Sequence, residues 1–93
     1  MFKTKEYFEG NVKSIGFKSN KGRASVGVMA PGEYEFGTEN AEHISIISGE
    51  MGVKLPNETD FKMYKHGEKF VVEKEVKFLI KIPVETAYLC LYM

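Results

Sequence analysis

Glu42-His43-Ile44-Ser45-Ile46-Ile47-Ser48-Gly49-Glu50-Met51 holds an extended run broken by a glycine turn, the pattern on which the whole chain is built. Side chains alternate between faces along an extended chain, so Ile44 and Ile46 share one side and His43, Ser45 and Ile47 the other. Ser48-Gly49-Glu50 then turns the chain, since Gly takes positive φ without steric cost. Met51, Val53 and Leu55 resume the alternation. Gly67 follows Gly49 by eighteen residues, in His66-Gly67-Glu68-Lys69-Phe70-Val71-Val72, and precedes another short apolar run.

The same signal extends outward in both directions. Upstream, Val12, Ser14 and Gly16 alternate with Lys13, Ile15 and Phe17. Ala24, Val26 and Val28 alternate with Ser25, Gly27 and Met29, and Tyr34–Phe36 follows. Downstream lie Phe61–Met63, Val76–Phe78–Ile80–Ile82 and Tyr88–Cys90–Tyr92. Period-two alternation of β-branched and aromatic residues predicts strands. Turn clusters such as Ser19-Asn20-Lys21-Gly22, Ala30-Pro31-Gly32 and Pro56-Asn57-Glu58 separate them. The longest non-β candidate, Thr38 to His43, is too short for a stable helix. The expectation is one all-β domain over residues 1–93, a small sandwich or barrel.

A chain of 93 residues buries a modest core. Thirteen basic and thirteen acidic residues give a formal charge of zero. That balance argues against a binder of nucleic-acid backbone, but not against a local pocket for a small anion. No run approaches a membrane span, and the N-terminal charges of Met1-Phe2-Lys3-Thr4-Lys5-Glu6 have no apolar run behind them. The expectation is therefore a cytoplasmic protein with neither membrane nor nucleic-acid partners. Cys90 is the one cysteine, so no intrachain disulfide and no cysteine-based zinc site are possible. Between Leu89 and Leu91 it reads as a core thiol. The modest core and the apolar ending Tyr88-Leu89-Cys90-Leu91-Tyr92-Met93 predict a homodimer.

The spacing of Glu42, Gly49 and Gly67 resembles the two motifs of the cupin superfamily, a double-stranded β-helix or small jelly-roll barrel. A metal-binding cupin would place two His at Phe36 and Thr38, or at Glu35 and Gly37, and another near Phe78. None of these is His, while His43 points away from Glu42 on a strand and His66 falls in a turn. No metal site is expected, because a catalytic metal needs three or more convergent ligands.

Four segments sharpen the resemblance: Glu6-Tyr7-Phe8, Val12-Lys13-Ser14-Ile15-Gly16-Phe17, Gly22-Arg23-Ala24-Ser25-Val26-Gly27-Val28-Met29 and Gly32-Glu33-Tyr34-Glu35-Phe36. With Tyr88-Leu89-Cys90, in this order and at these distances, the whole chain resembles the pyrimidine/purine nucleoside phosphorylase family of small cupin-like proteins. The resemblance implies phosphorolysis of purine and pyrimidine ribonucleosides to free base and ribose 1-phosphate. It also implies inorganic phosphate as co-substrate, and no cofactor.

The residue types fit that chemistry. Arg23, the one arginine, offers a planar donor fork suited to phosphate. Ser25 shares its strand face, and Ser14 is favoured over Lys13 as the pocket-facing residue of its segment. Tyr7, Tyr34, Phe36 and Tyr88 are candidate platforms for a base, since stacking tolerates many bases. Phe36 and Thr38 hold the vacated ligand positions and are expected to face the interior. Glu42 is the candidate for orienting a ribose hydroxyl. Two other readings account for the missing ligands: a non-catalytic nucleoside- or sugar-binding cupin, and an assembly domain that uses its sheet edges.

Overall fold

The computed structural model describes residues 1–93. Ten strands follow in chain order: β1 (Thr4–Tyr7), β2 (Val12–Ser19), β3 (Gly22–Met29), β4 (Gly32–Gly37) and β5 (Glu42–Ser48), then β6 (Glu50–Lys54), β7 (Lys62–Lys65), β8 (Lys69–Val72), β9 (Lys77–Ile82) and β10 (Thr86–Tyr92). The only helical piece is a 3-10 turn at Phe8–Gly10. Each alternating run of the sequence became a strand. Thr38 to Ala41 stays irregular, while Glu42 and His43 begin β5.

The strands form a six-stranded sheet, β1-β2-β3-β10-β5-β8, and a four-stranded sheet, β4-β9-β6-β7. All pairings are antiparallel. The expected jelly roll is present as two facing sheets rather than a closed barrel, because no ladder joins β1 or β8 to β4 or β7.

Between the sheets lie Val12, Met29, Ile44, Ile46, Met51, Val53, Ile80 and Ile82, all buried. Each such side chain contributes about 1.5–3 kcal/mol when taken fully out of water. The valine face of β3 is not part of this core. Val26 and Val28 point outward, and Ser25, Gly27 and Met29 point in. The polar and glycine positions thus hollow the core where an aliphatic side chain would have filled it.

The β5–β6 turn sits where two constraints meet. Gly49 has φ +99, and a Cβ there would run into Thr86 and come within 2.7 Å of the Glu85 carbonyl. The Thr86 hydroxyl accepts the Glu50 N–H at 3.1 Å. It lies 2.9 Å from the Glu50 carbonyl and 2.8 Å from that of Val84. One buried threonine therefore ties the turn to the start of β10.

Candidate active site

Strand register builds the site. Residues directly opposite in a ladder share a face. Across the six-stranded sheet, one inward row reads Lys5, Ser14, Gly27, Tyr88, Ile46. The next reads Gly16, Ser25, Cys90, Ile44, Phe70. The third pairs Lys18 with Arg23 and Tyr92 with Glu42. Glycines and serines on β2 and β3 leave a hollow, and β10 supplies the rings beside it.

Two adjoining chambers result. The inner one, about 150 Å³, is lined by Phe36 and Phe78 from the smaller sheet and by Glu42, Tyr88 and Cys90 from the larger. The outer one, about 290 Å³, is lined by Lys5, Lys18, Arg23, Gly16 and Ser25. Tyr7, Ser14 and Tyr92 line both. Neither volume alone reaches the roughly 300–1,000 Å³ of small-molecule sites, but together they enter that range.

The outer chamber is electropositive. Lys5, Lys18 and Arg23 line it without a carboxylate among its walls. The molecule's one ion pair, Lys13 to Glu6 at 3.5 Å, involves none of them. Ser25 Oγ lies 2.9 Å from the Tyr92 hydroxyl, and the Arg23 guanidinium lies over the Tyr92 ring, 5.3 Å from its centroid.

The inner chamber is apolar with one acid. Burial raises the Glu42 carboxyl above its usual range, opposed by the thiol proton of Cys90. That thiol donates to Glu42 Oε1 at 3.5 Å. Burial, then the neighbouring Glu42, pushes the Cys90 thiol up to about 12, so it stays protonated and acts as a donor. Burial also raises the Tyr88 and Tyr92 hydroxyls. The Tyr88 ring leans across Gly27, where a Cβ would come within 2.5 Å of the Tyr88 hydroxyl. Gly27 is what lets that ring lie flat against the sheet.

Of the expected residues, Tyr7, Ser14, Arg23, Ser25, Phe36, Glu42 and Tyr88 reach the chambers. Tyr34 and Thr38 line neither chamber, and both hydroxyls are bonded to backbone instead. Tyr34 donates its hydroxyl to the Ala30 carbonyl at 2.6 Å and packs against Phe8. Thr38 donates to the Glu73 carbonyl at 2.7 Å and accepts the Val76 N–H at 3.1 Å, pinning the loop after β8. Among the polar side chains of the walls, Tyr92, Cys90, Lys5 and Lys18 are not among the site residues expected from sequence. Tyr92 and Cys90 share the face of Tyr88 by alternation, a signal that was available. Lys5 and Lys18 carried none, being two of twelve lysines.

The residues do not fit a catalytic metal. Phe36 and Phe78 line the chamber where ligands would stand, and Glu42 and Cys90 are the sole carboxylate and thiol there.

A family model described as pyrimidine/purine nucleoside phosphorylase matches residues 2–92. The chain belongs to the pyrimidine/purine nucleoside phosphorylase family. A relative of that name from Pseudomonas syringae pv. tomato is 53% identical over 92 residues, covering 99% of both chains. A solved structure of a protein of unknown function from Vibrio parahaemolyticus superposes with TM-score 0.96 at 43% identity, covering 100% of this chain and 99% of that one. An RmlC-like cupin from Shewanella frigidimarina superposes with TM-score 0.74 at 18% identity, covering 96% and 80%, which shows the cupin-like fold alone. Family membership thus rests on a match along the whole chain, and the cupin fold on a separate structural likeness.

Proposed function

We propose that the protein catalyses phosphorolysis of purine and pyrimidine nucleosides with inorganic phosphate and no cofactor. The observation that carries this reading is the juxtaposition of three unpaired cations and two serine hydroxyls with an aromatic chamber that holds one half-buried acid. Phosphate occupies the outer chamber, gripped by Arg23 and neutralised by Lys5 and Lys18, with Ser14 and Ser25 donating. The base occupies the inner chamber among Tyr7, Phe36 and Tyr88. These walls offer faces rather than base-reading edges, which suits both base classes.

The ribose then spans the junction at Tyr92. A phosphate oxygen forms a bond to C1′ as the bond from C1′ to the base nitrogen breaks. Positive charge that develops on the sugar lies between the phosphate and Glu42. The raised affinity of Glu42 for its proton suits it to protonate the departing base. The proton carried by hydrogen phosphate restores the carboxyl, so the products are free base and ribose 1-phosphate.

The test is incubation of purified protein with a nucleoside, with and without phosphate. Base release should require phosphate, survive exhaustive chelation, and fall at least about 100-fold in Arg23→Ala, as for loss of a charge-assisted anion contact. Release no greater than in Arg23→Ala sinks the reading. Nucleoside binding without turnover would favour a binding protein instead.

Assembly and compartment belong to the same proposal. The outer face of the larger sheet exposes Ile15, Val26, Val28, Ile47 and Val71. Register joins Ile15, Val26 and Leu89 in one row and Phe17, Ala24 and Leu91 in another. A second copy covering the Val26 row, which lines neither chamber, gives a homodimer. The free, buried Cys90 suits a reducing cytoplasm.

A further inference from the structure

We propose that Tyr92 is the positioning residue for Arg23, and that it sets the affinity of the site for phosphate. The proposal rests on the phosphorolytic reading above. Tyr92 lines both chambers. It is held from two sides. Its backbone pairs with Glu42 of β5, and the following Met93 N–H bonds to the Ala41 carbonyl at 2.9 Å. Its hydroxyl meets Ser25 Oγ at 2.9 Å. A ring fixed at both ends is a rigid surface, and the Arg23 guanidinium carbon lies 5.3 Å above its centroid.

Arg23 lacks other support. It is exposed, it follows Gly22 at the start of β3, and it has no carboxylate partner. An arginine free in solvent loses rotamer freedom when it grips an anion. One already stacked on a ring has lost part of that freedom beforehand, and the negative ring face holds the cation over the hollow. Lys5 and Lys18 have no such ring, since the other cation–ring pairs of the molecule are Lys62 with Tyr64 and Lys81 with Phe61. The ring therefore selects which of the three cations is oriented.

The ring and the hydroxyl are separable. Tyr92→Phe keeps the surface under Arg23 and frees Ser25. Tyr92→Leu removes both. Titration of inorganic phosphate into the purified protein by calorimetry reads the effect without turnover. Tyr92→Leu should weaken phosphate binding about fivefold, the size of a lost cation–π contact, and Tyr92→Phe by less. In Arg23→Ala/Tyr92→Leu the loss should not exceed that of Arg23→Ala alone, because the ring acts through the arginine. In turnover, KM for phosphate should rise by a larger factor in Tyr92→Leu than KM for the nucleoside, whose ribose the ring also borders. A merely structural role would lower thermal stability and raise both by the same factor.

Unchanged phosphate affinity in Tyr92→Leu, or additive losses in the double variant, overturns the proposal. Should Tyr92→Leu fail to fold, the wild-type Arg23 Nε–H resonance decides: a ring-current shift upfield supports the stacking, and an unshifted position rejects it. A wild type that binds phosphate but releases no base sinks the phosphorolytic reading and leaves Tyr92 tested. A wild type that binds no phosphate overturns both.

Discussion

Single side chains set the electrostatics of this site, and Glu42 shows how. Its carboxyl is half-buried among rings, and the thiol of Cys90 is its hydrogen-bond donor. Its folded pKa is raised above the ordinary 4.5. The folded state therefore binds more protons than the unfolded state in that window, and stability falls as pH rises through it. Glu42→Gln keeps an acceptor for Cys90 and removes the charge. Melting curves should show Glu42→Gln more stable than wild type at neutral pH, with the gap closing below pH 4.5. The alkaline fall in turnover that comes from losing the Glu42 proton should also vanish in that variant. A stability gap that widens on acidification would show that Glu42 is held ionised instead. Cys90, by contrast, keeps its proton throughout this range, with its thiol pushed up to about 12.

At the level of strands, the cavity exists because β2 and β3 place small residues where β10 places rings. Gly27 stands opposite Tyr88 in the ladder and carries its ring. A methyl at position 27 would force the ring into the inner chamber, because the backbone beneath it is fixed by pairing on both sides. Gly27→Ala should cost about 1–3 kcal/mol of stability, the usual penalty of overpacking. Its nucleoside KM should rise more than its phosphate KM, since the displaced ring enters the inner chamber and not the cationic one. Denaturant unfolding with a KM comparison checks both; an unaffected nucleoside KM would mean that Tyr88 is not a wall of the base site. The alternation of β3 was legible in sequence, but which face turned inward was not. Val26 and Val28 look like core residues by hydropathy, yet they face out.

For the molecule as a whole, that outward face is the largest statement the fold makes about assembly. Ile15, Val26, Val28, Ile47 and Val71 lie on one sheet surface, each more than a third exposed. Scattered apolar residues are normal on a surface, and the proposed homodimer is the reading that would cover these. Val26→Glu places a charge at its middle row and touches neither chamber. Sedimentation should find a dimer for wild type and a monomer for Val26→Glu, with melting of the variant lowered at equal concentration. A monomeric wild type would remove the homodimer from the proposal.

The sequence by itself determined the strand content, the turn positions, the family and a minority of the residues that line the chambers, Arg23, Glu42 and Tyr88 among them. These follow from local rules: period-two alternation, positive-φ glycines, and a run of matched segments in order. Tertiary structure decided what local rules do not encode. Thr38 anchors a loop through the Glu73 carbonyl and Tyr34 bonds the Ala30 carbonyl, pairings between residues far apart or across a turn that the alternation pattern does not show. Lys5, Lys18 and Arg23 come from three strands and converge only through ladder register. Tyr92 became the shared wall because β10 pairs with β3 on one side and β5 on the other. Register carries position across strands that the chain separates by up to about 70 residues, and no short window of sequence contains it.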